Sequence, residues 1–320
     1  MFNAPTENRN KMKKRINFKQ KFEPGKKILH GAGQSIETFS RYWKAVEKYK
    51  PCIYMTYIKF HHLDEWIKKI KKEVKLFPNL MLQIGLNLRI NGEDKTKDIA
   101  EGKYDEELLK FAKTLKEIKN PVFVRIGYEF DAKEKYAPEN YILAFRYIVD
   151  YLKNNTDNCA SVWCSCPYNE TEPFEPYYPG DKYVDWFGID IFGVELFKDS
   201  KYKPIKDFLK MAIKHKKPVM IGESSAIKIG IENGEKIWTE WFTPYFKFIE
   251  DNPQIKAFCY INWDWGKDWK TPRWLNCRIE ENEFVRKKYI KELSNPSYIH
   301  AQREEKQESA NLSPNKKKVL

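Results

Sequence analysis

Residues 121–129 read PVFVRIGYE, and residues 218–223 read PVMIGE. Each is a proline-led apolar run, too short for a helix, that stops on a glutamate; such a run reads as a strand buried on both faces. Working outward, the same texture predicts strands over Ile28–Gly31, Cys52–Ile58, Leu80–Leu88, Ala160–Cys164, Val184–Ile191 and Ala257–Trp263, which with Val122–Tyr128 and Val219–Gly222 makes eight. Between them lie Ser35–Tyr49, Leu63–Lys75, Glu106–Ile118, Glu139–Lys153, Ile205–Lys214 and Glu235–Glu250, with Asn282–Leu293 closing the series. Their apolar residues recur at helical spacing, as in Tyr141, Ala144, Phe145, Ile148 and Leu152. Lys50-Pro51, Asn120-Pro121 and Lys217-Pro218 punctuate the helix-to-strand turns.

Long crossovers between strands imply parallel pairing, and eight strand–helix units fit a closed (β/α)8 TIM barrel better than an open sheet. The 320 residues therefore read as one α/β domain over 25–299, flanked by flexible basic tails at 1–24 and 300–320. A hydrophobic fraction of 42% supplies a core for a chain of this size and excludes intrinsic disorder. Ten Trp, nineteen Tyr and twenty Phe exceed ordinary core needs and point to rings at a binding surface.

The net charge of +13 raises the question of a nucleic-acid partner, and its distribution answers it. Residues 1–27 hold nine Lys/Arg against two Glu, and residues 301–320 hold five against three, so the body is nearly balanced. Nucleic acid is not the expected partner. No apolar run is long enough to span a membrane, and the basic N-terminus lacks the apolar stretch of a secretory signal. As written the chain reads as cytoplasmic, or secreted if a leader precedes it, and as a monomer. The six cysteines are too sparse for a disulfide framework and read as buried thiols. His30, His61, His62, His215 and His300 have no metal-ligand spacing, Gly31-Ala-Gly33 lacks the rest of a nucleotide fingerprint, and no Gly-x-Ser-x-Gly elbow is present. No metal or cofactor is expected.

Active sites of such barrels form at the C-terminal ends of the strands. Strands four and seven both end on a carboxylate there, Glu129 and Glu223. A period of two puts Phe123, Arg125, Gly127 and Glu129 on one face, and Val219, Ile221 and Glu223 on another. If those faces are internal, two glutamates meet across the mouth, the arrangement that retaining glycoside hydrolysis requires.

The runs RIGYEF (125–130), AFRYIVDYLK (144–153), VWCSCPY (162–168), YYPGDKYVDWFGIDIF (177–192), KPVMIGES (217–224) and YINWDW (260–265) resemble the clan of retaining (β/α)8 glycoside hydrolases. Within it they are most similar to glycoside hydrolase family 26, known for β-mannanases and related endo-β-glycanases. The resemblance implies that Glu129 is the acid/base, that Glu223 is the nucleophile, and that Arg125 lies beneath them and orients carboxylates. It also implies a carbohydrate partner and a sugar platform at Trp263. Two positions depart from the family pattern: Tyr128 stands where a histidine is usual, and Gly188-Ile-Asp-Ile-Phe192 offers Asp190 in place of a tyrosine.

Flat rings stack on the apolar faces of pyranoses. Trp163 and Trp263 are the first candidates for that task, followed by Tyr57, Tyr168 and Trp265, with His30 at the pocket floor. The expectation is an endo-acting retaining β-glycosidase on a mannan, xylan or glucan. A carbohydrate-binding barrel that has lost catalysis is the alternative that the two departures raise.

Overall fold

The computed structural model describes residues 15–167, 173–198, 203–268 and 274–301. Eight parallel strands, β1 (Ile28–Gly33), β2 (Ile53–Lys59), β3 (Met81–Asn87), β4 (Val122–Ile126), β5 (Cys159–Ser165), β6 (Trp186–Ile191), β7 (Val219–Ser224) and β8 (Ile255–Ile261), pair in chain order, and β8 returns to β1. The barrel is closed. Around it stand α1 (Ile36–Ala45), α2 (Leu63–Leu76), α3 (Asp105–Ile118), α4 (Pro138–Asn155), α5 (Lys203–Lys214), α6 (Thr243–Asp251) and α7 (Glu283–Leu293).

Local chemistry sets these elements. The Ser35 hydroxyl caps α1 by accepting from Thr38 N, and Ser35 N donates back to the Thr38 hydroxyl. Pro138 opens α4, where its missing N–H costs nothing. The helix then buries Tyr141, Ala144, Phe145, Ile148, Val149 and Leu152 as one stripe, each stabilising by roughly 1–3 kcal/mol. The predicted helix over Glu235–Glu250 is interrupted: Gly234–Ile237 runs into a π-turn at Trp238–Phe242 before α6 begins. Pro244 lacks the N–H that would continue the ladder, which accounts for the break.

The tail boundaries need correction. Residues 15–24, expected to be loose, lie across the N-terminal end of the barrel. The Arg15 guanidinium donates to the carbonyls of Ile249 and Ile255, and Trp186 Nε1 donates to Lys21 O at 2.7 Å. Phe22 meets Phe123 edge to face, and Lys256 Nζ donates to Gly25 O at 2.6 Å. At this end of the barrel the arm thus supplies a donor to two backbone carbonyls and a ring against Phe123. At the other terminus Tyr298–Ile299 pairs with β1, and His300 bridges to Pro51.

Candidate active site

Strand β4 stops at Ile126, three residues short of Glu129. Gly127 has φ +57° and Glu129 φ +52°, so the chain leaves the extended conformation twice and simple alternation fails. Gly127 N still donates to Leu86 O at 2.8 Å and Glu129 N to Cys164 O at 2.7 Å, which keeps the kinked segment tied to both neighbouring strands. Tyr128 turns onto the Arg125 guanidinium, 4.9 Å from its ring centre. Strand β7 is irregular as well. Val219, Met220 and Ile221 pair in sequence with Phe187, Gly188 and Ile189, but Asp190 pairs with Glu223, skipping Gly222. Val219 and Ile221 therefore do not share a face with Glu223 as expected; the bulge carries Glu223 inward together with Gly222. A Cβ at Gly222 would collide with Arg125 Nη1 and Asp190 Oδ1, so only glycine fits.

Arg125 is the hub. It is fully buried, its Nη1 donates to Asp190 Oδ1 at 2.8 Å, and its Nη2 donates to Glu223 Oε1 at 2.5 Å. Tyr57 and Tyr128 lie against the guanidinium, 5.7 and 4.9 Å from it. Burial pushes the Asp190 carboxyl well above the usual carboxylate range; Arg125 opposes this, and Glu223 and Glu129 add to it. Burial and the nearby Glu223 charge likewise raise the phenols of Tyr57 and Tyr128. Glu129 keeps a partly exposed side chain, with Lys135 Nζ at 3.7 Å. That ammonium also donates to Tyr128 O and lies 4.7 Å from the Tyr128 ring.

The structure thus brings Arg125, Tyr57, Tyr128, Asp190, Glu129 and Glu223 into one cluster at the strand ends. Trp263 follows β8, is partly exposed, and meets Trp265 edge to face. Three aromatic assignments need correction. Trp163 is fully buried outside the strands, stacked on Phe130 at 4.6 Å and on Phe208 of α5 at 5.3 Å. It is core, not sugar wall. His30 also points outward: its Nε2 pairs with the Tyr42 hydroxyl and its Nδ1 with His300 Nδ1. Burial lowers its pKa well below the ordinary histidine value, and His300 adds to the shift. Trp265 is buried behind Trp263, donating to the Ser225 hydroxyl and packing on Phe192 and Trp274. Tyr168 lies outside the described residues.

Two polar residues went unread in the sequence. Lys135 gave no signal, being one lysine among many. Asp131 is fully buried and accepts from the Ser165 hydroxyl at 2.5 Å and from Cys166 N at 2.8 Å. Burial pushes its carboxyl up to about 6.

A closed parallel barrel that gathers Glu129, Asp190 and Glu223 beyond the C-terminal ends of its strands has the fold and site of a (β/α)8 glycoside hydrolase. The chain belongs to glycosyl hydrolase family 26, whose model matches residues 96–266. It is 26% identical over 318 residues to a protein named beta-1,3-xylanase from Alcaligenes sp., covering 88% of this chain and 66% of that one. It is 26% identical over 317 residues to beta-1,3-xylanase TXYA from Vibrio sp., covering 87% and 67%. The chain thus spans about two thirds of the length of these relatives. Among solved structures, the catalytic domain of a Bacillus sp. JAMB-750 GH26 endo-beta-1,4-mannanase shares the fold, with a TM-score of 0.63 at 16% identity over 86% of this chain and 87% of that one. GH26C from a Muricauda species aligns with a TM-score of 0.62, also at 16% identity and over the same shares.

Proposed function

We propose that the protein is an endo-acting, retaining β-glycosidase in which Glu223 is the nucleophile and Glu129 the acid/base. The observation that carries this reading is the Arg125 fork, which fixes one oxygen of Glu223 from below while Glu129 stands on the same rim with part of its side chain open. A nucleophilic carboxylate must be aimed, and a charge-assisted hydrogen bond from a buried guanidinium fixes one oxygen of Glu223. In the first step a Glu223 oxygen bonds to the anomeric carbon as the glycosidic C–O bond breaks, and Glu129 delivers its proton to the departing oxygen. In the second, Glu129 takes a proton from water, whose oxygen displaces Glu223 from the anomeric carbon. Two inversions at one carbon return the original configuration. Trp263, Tyr57 and Tyr128 are the rings against which the sugar would rest.

Two relatives named as beta-1,3-xylanases align over most of the chain, so β-1,3-xylan is the substrate to try first. The test is reducing-end release from β-1,3-xylan, β-1,4-xylan, β-mannan and β-1,3-glucan by wild type, Glu129→Ala and Glu223→Ala. The expected result is release by wild type from one of the four, with a loss of about a hundredfold or more in both variants. Full activity in either variant, or tight glycan binding without any release by wild type, contradicts it; the latter is the signature of a non-catalytic barrel.

A further inference from the structure

We propose that Asp131 is the positioning residue for Glu129, its buried carboxylate clamping the left-handed turn that sends the Glu129 side chain into the barrel mouth. The inference rests on the reading of Glu129 as acid/base. A glutamate at φ +52° is in a conformation that its Cβ disfavours, and such a conformation persists only where its surroundings over-determine it.

Besides Lys135, whose ammonium donates to Tyr128 O and pairs with Glu129, three ties hold this turn to β5 and the residue after it. Glu129 N donates to Cys164 O, a backbone bond that any residue could make. Phe130 then stacks on Trp163, rings 12° from parallel, which anchors the chain outside the barrel without fixing the direction of its neighbour. Asp131 supplies the directional tie. Its Oδ2 accepts from the Ser165 hydroxyl and its Oδ1 from Cys166 N, two donors on adjacent residues at the very end of β5.

A carboxylate gripped at both oxygens cannot rotate, and a residue two positions away on a tight turn inherits that fixity. Burying a carboxylate is costly unless it is fully bonded, so this group is expensive as mere packing. Its neighbours are those of the active site. Cys166, whose amide it holds, also carries the thiol that faces Glu129, Asp190 and Asp131 itself. The stretch Cys164-Ser165-Cys166 thereby acquires a purpose that its spacing did not reveal: Cys164 Sγ donates to Asp190 at 3.4 Å, and the next two residues hold Asp131.

In the first step, which kcat/KM reports, a misplaced acid harms only substrates whose leaving group needs a proton, which gives a readout that general loss of structure would not produce. Wild type, Asp131→Ala, Asp131→Asn, Ser165→Ala and Glu129→Ala are compared on β-1,3-xylan and on 2,4-dinitrophenyl β-xylobioside, whose phenolate departs unassisted. Asp131→Ala is expected to lower kcat on the polymer about tenfold or more while kcat/KM for the dinitrophenyl glycoside changes by less than about threefold. Asp131→Asn keeps an oxygen to accept from Cys166 N and can donate its amide N–H to the Ser165 hydroxyl oxygen, reversing that bond, and is expected to recover most of the polymer activity. If Asp131→Ala does not fold, Ser165→Ala, which keeps the carboxylate and the Cys166 bond, carries the same test with a smaller loss. Parallel losses on both substrates, or none on either, overturn the proposal. Glu129→Ala separates the two levels: if it hydrolyses xylan like wild type, the acid/base assignment itself is wrong, whereas if it fails and Asp131→Ala does not, only the clamp is wrong.

Discussion

Arg125 must stay charged in a place from which water is excluded, and it does so because Asp190 and Glu223 occupy both ends of its fork. Removing one partner of a buried ion pair strands the other, at about 3–5 kcal/mol. Arg125→Met is therefore expected to lose activity and to unfold at markedly lower denaturant. The penalty should shrink on acidification, because burial already makes Asp190 take up a proton more readily than usual and a protonated Asp190 no longer needs the cation; unfolding curves at pH 5 and pH 8 check this, and a pH-independent difference would contradict it. Asp131 makes a second pH-dependent contribution, facing Glu129 from its own turn, Cys166 from β5 and Tyr141 from α4. Its carboxyl, raised to about 6, binds a proton more tightly when folded than an unfolded aspartate does at about 3.9. Between those values the folded state holds more protons, so stability falls as pH rises through the window. Asp131→Asn lacks that slope and should gain about 2–3 kcal/mol on wild type between pH 4 and pH 7, read by denaturant unfolding. At this scale the two glutamates were legible as carboxylates ending apolar runs. Asp131 was not, since its partners Ser165 and Cys166 lie 34 and 35 residues away in sequence.

The chain is irregular at both glutamates, just past the end of β4 and within β7. The left-handed turn after β4 and the bulge at Gly222 in β7 turn side chains inward that strict alternation would not. Gly222→Ala places a methyl group between Arg125 and Asp190, and is expected to cost about 1–3 kcal/mol and to abolish hydrolysis. Thermal unfolding and reducing-end assays read the two effects; wild-type behaviour in both would refute the bulge as a site-building element. The strand and helix series itself was readable because its periodicity is local. The inner face was not, because a strand buried on both sides has the same apolar texture inward and outward. That is why Trp163 and His30, both on strands near the expected site, read as lining the pocket while they pack against helices outside it. Trp265 misled differently, since two tryptophans one residue apart cannot be told apart as ring and support until Ser225 is seen to hold one of them.

Across the whole molecule the two ends of the barrel divide the work. Carboxylates gather at the C-terminal ends of the strands, while the arm of residues 15–27 and the closing strand at Tyr298–Ile299 seal the other. Phe22→Ala uncovers Phe123 at the sealed end and should cost about 1–3 kcal/mol with kcat unchanged, since Phe123 stands at the start of β4 and Glu129 beyond its other end. A melting curve paired with a rate assay checks this, and a fall in kcat at full stability would contradict the division. The arm escaped the sequence reading because its basic, aperiodic composition resembles a solvated tail, and its contacts are with Ile249, Ile255 and Trp186, far along the chain. The central claim is covalent catalysis by Glu223, and trapping tests it most directly. The protein is incubated with a 2-deoxy-2-fluoro-β-glycoside of the sugar whose polymer it cleaves, bearing a dinitrophenyl leaving group, and is then digested for peptide mass spectrometry. The account predicts one added glycosyl group on the peptide containing Glu223, absent in Glu223→Gln; a label on any other residue, or an active enzyme that takes none, would contradict it.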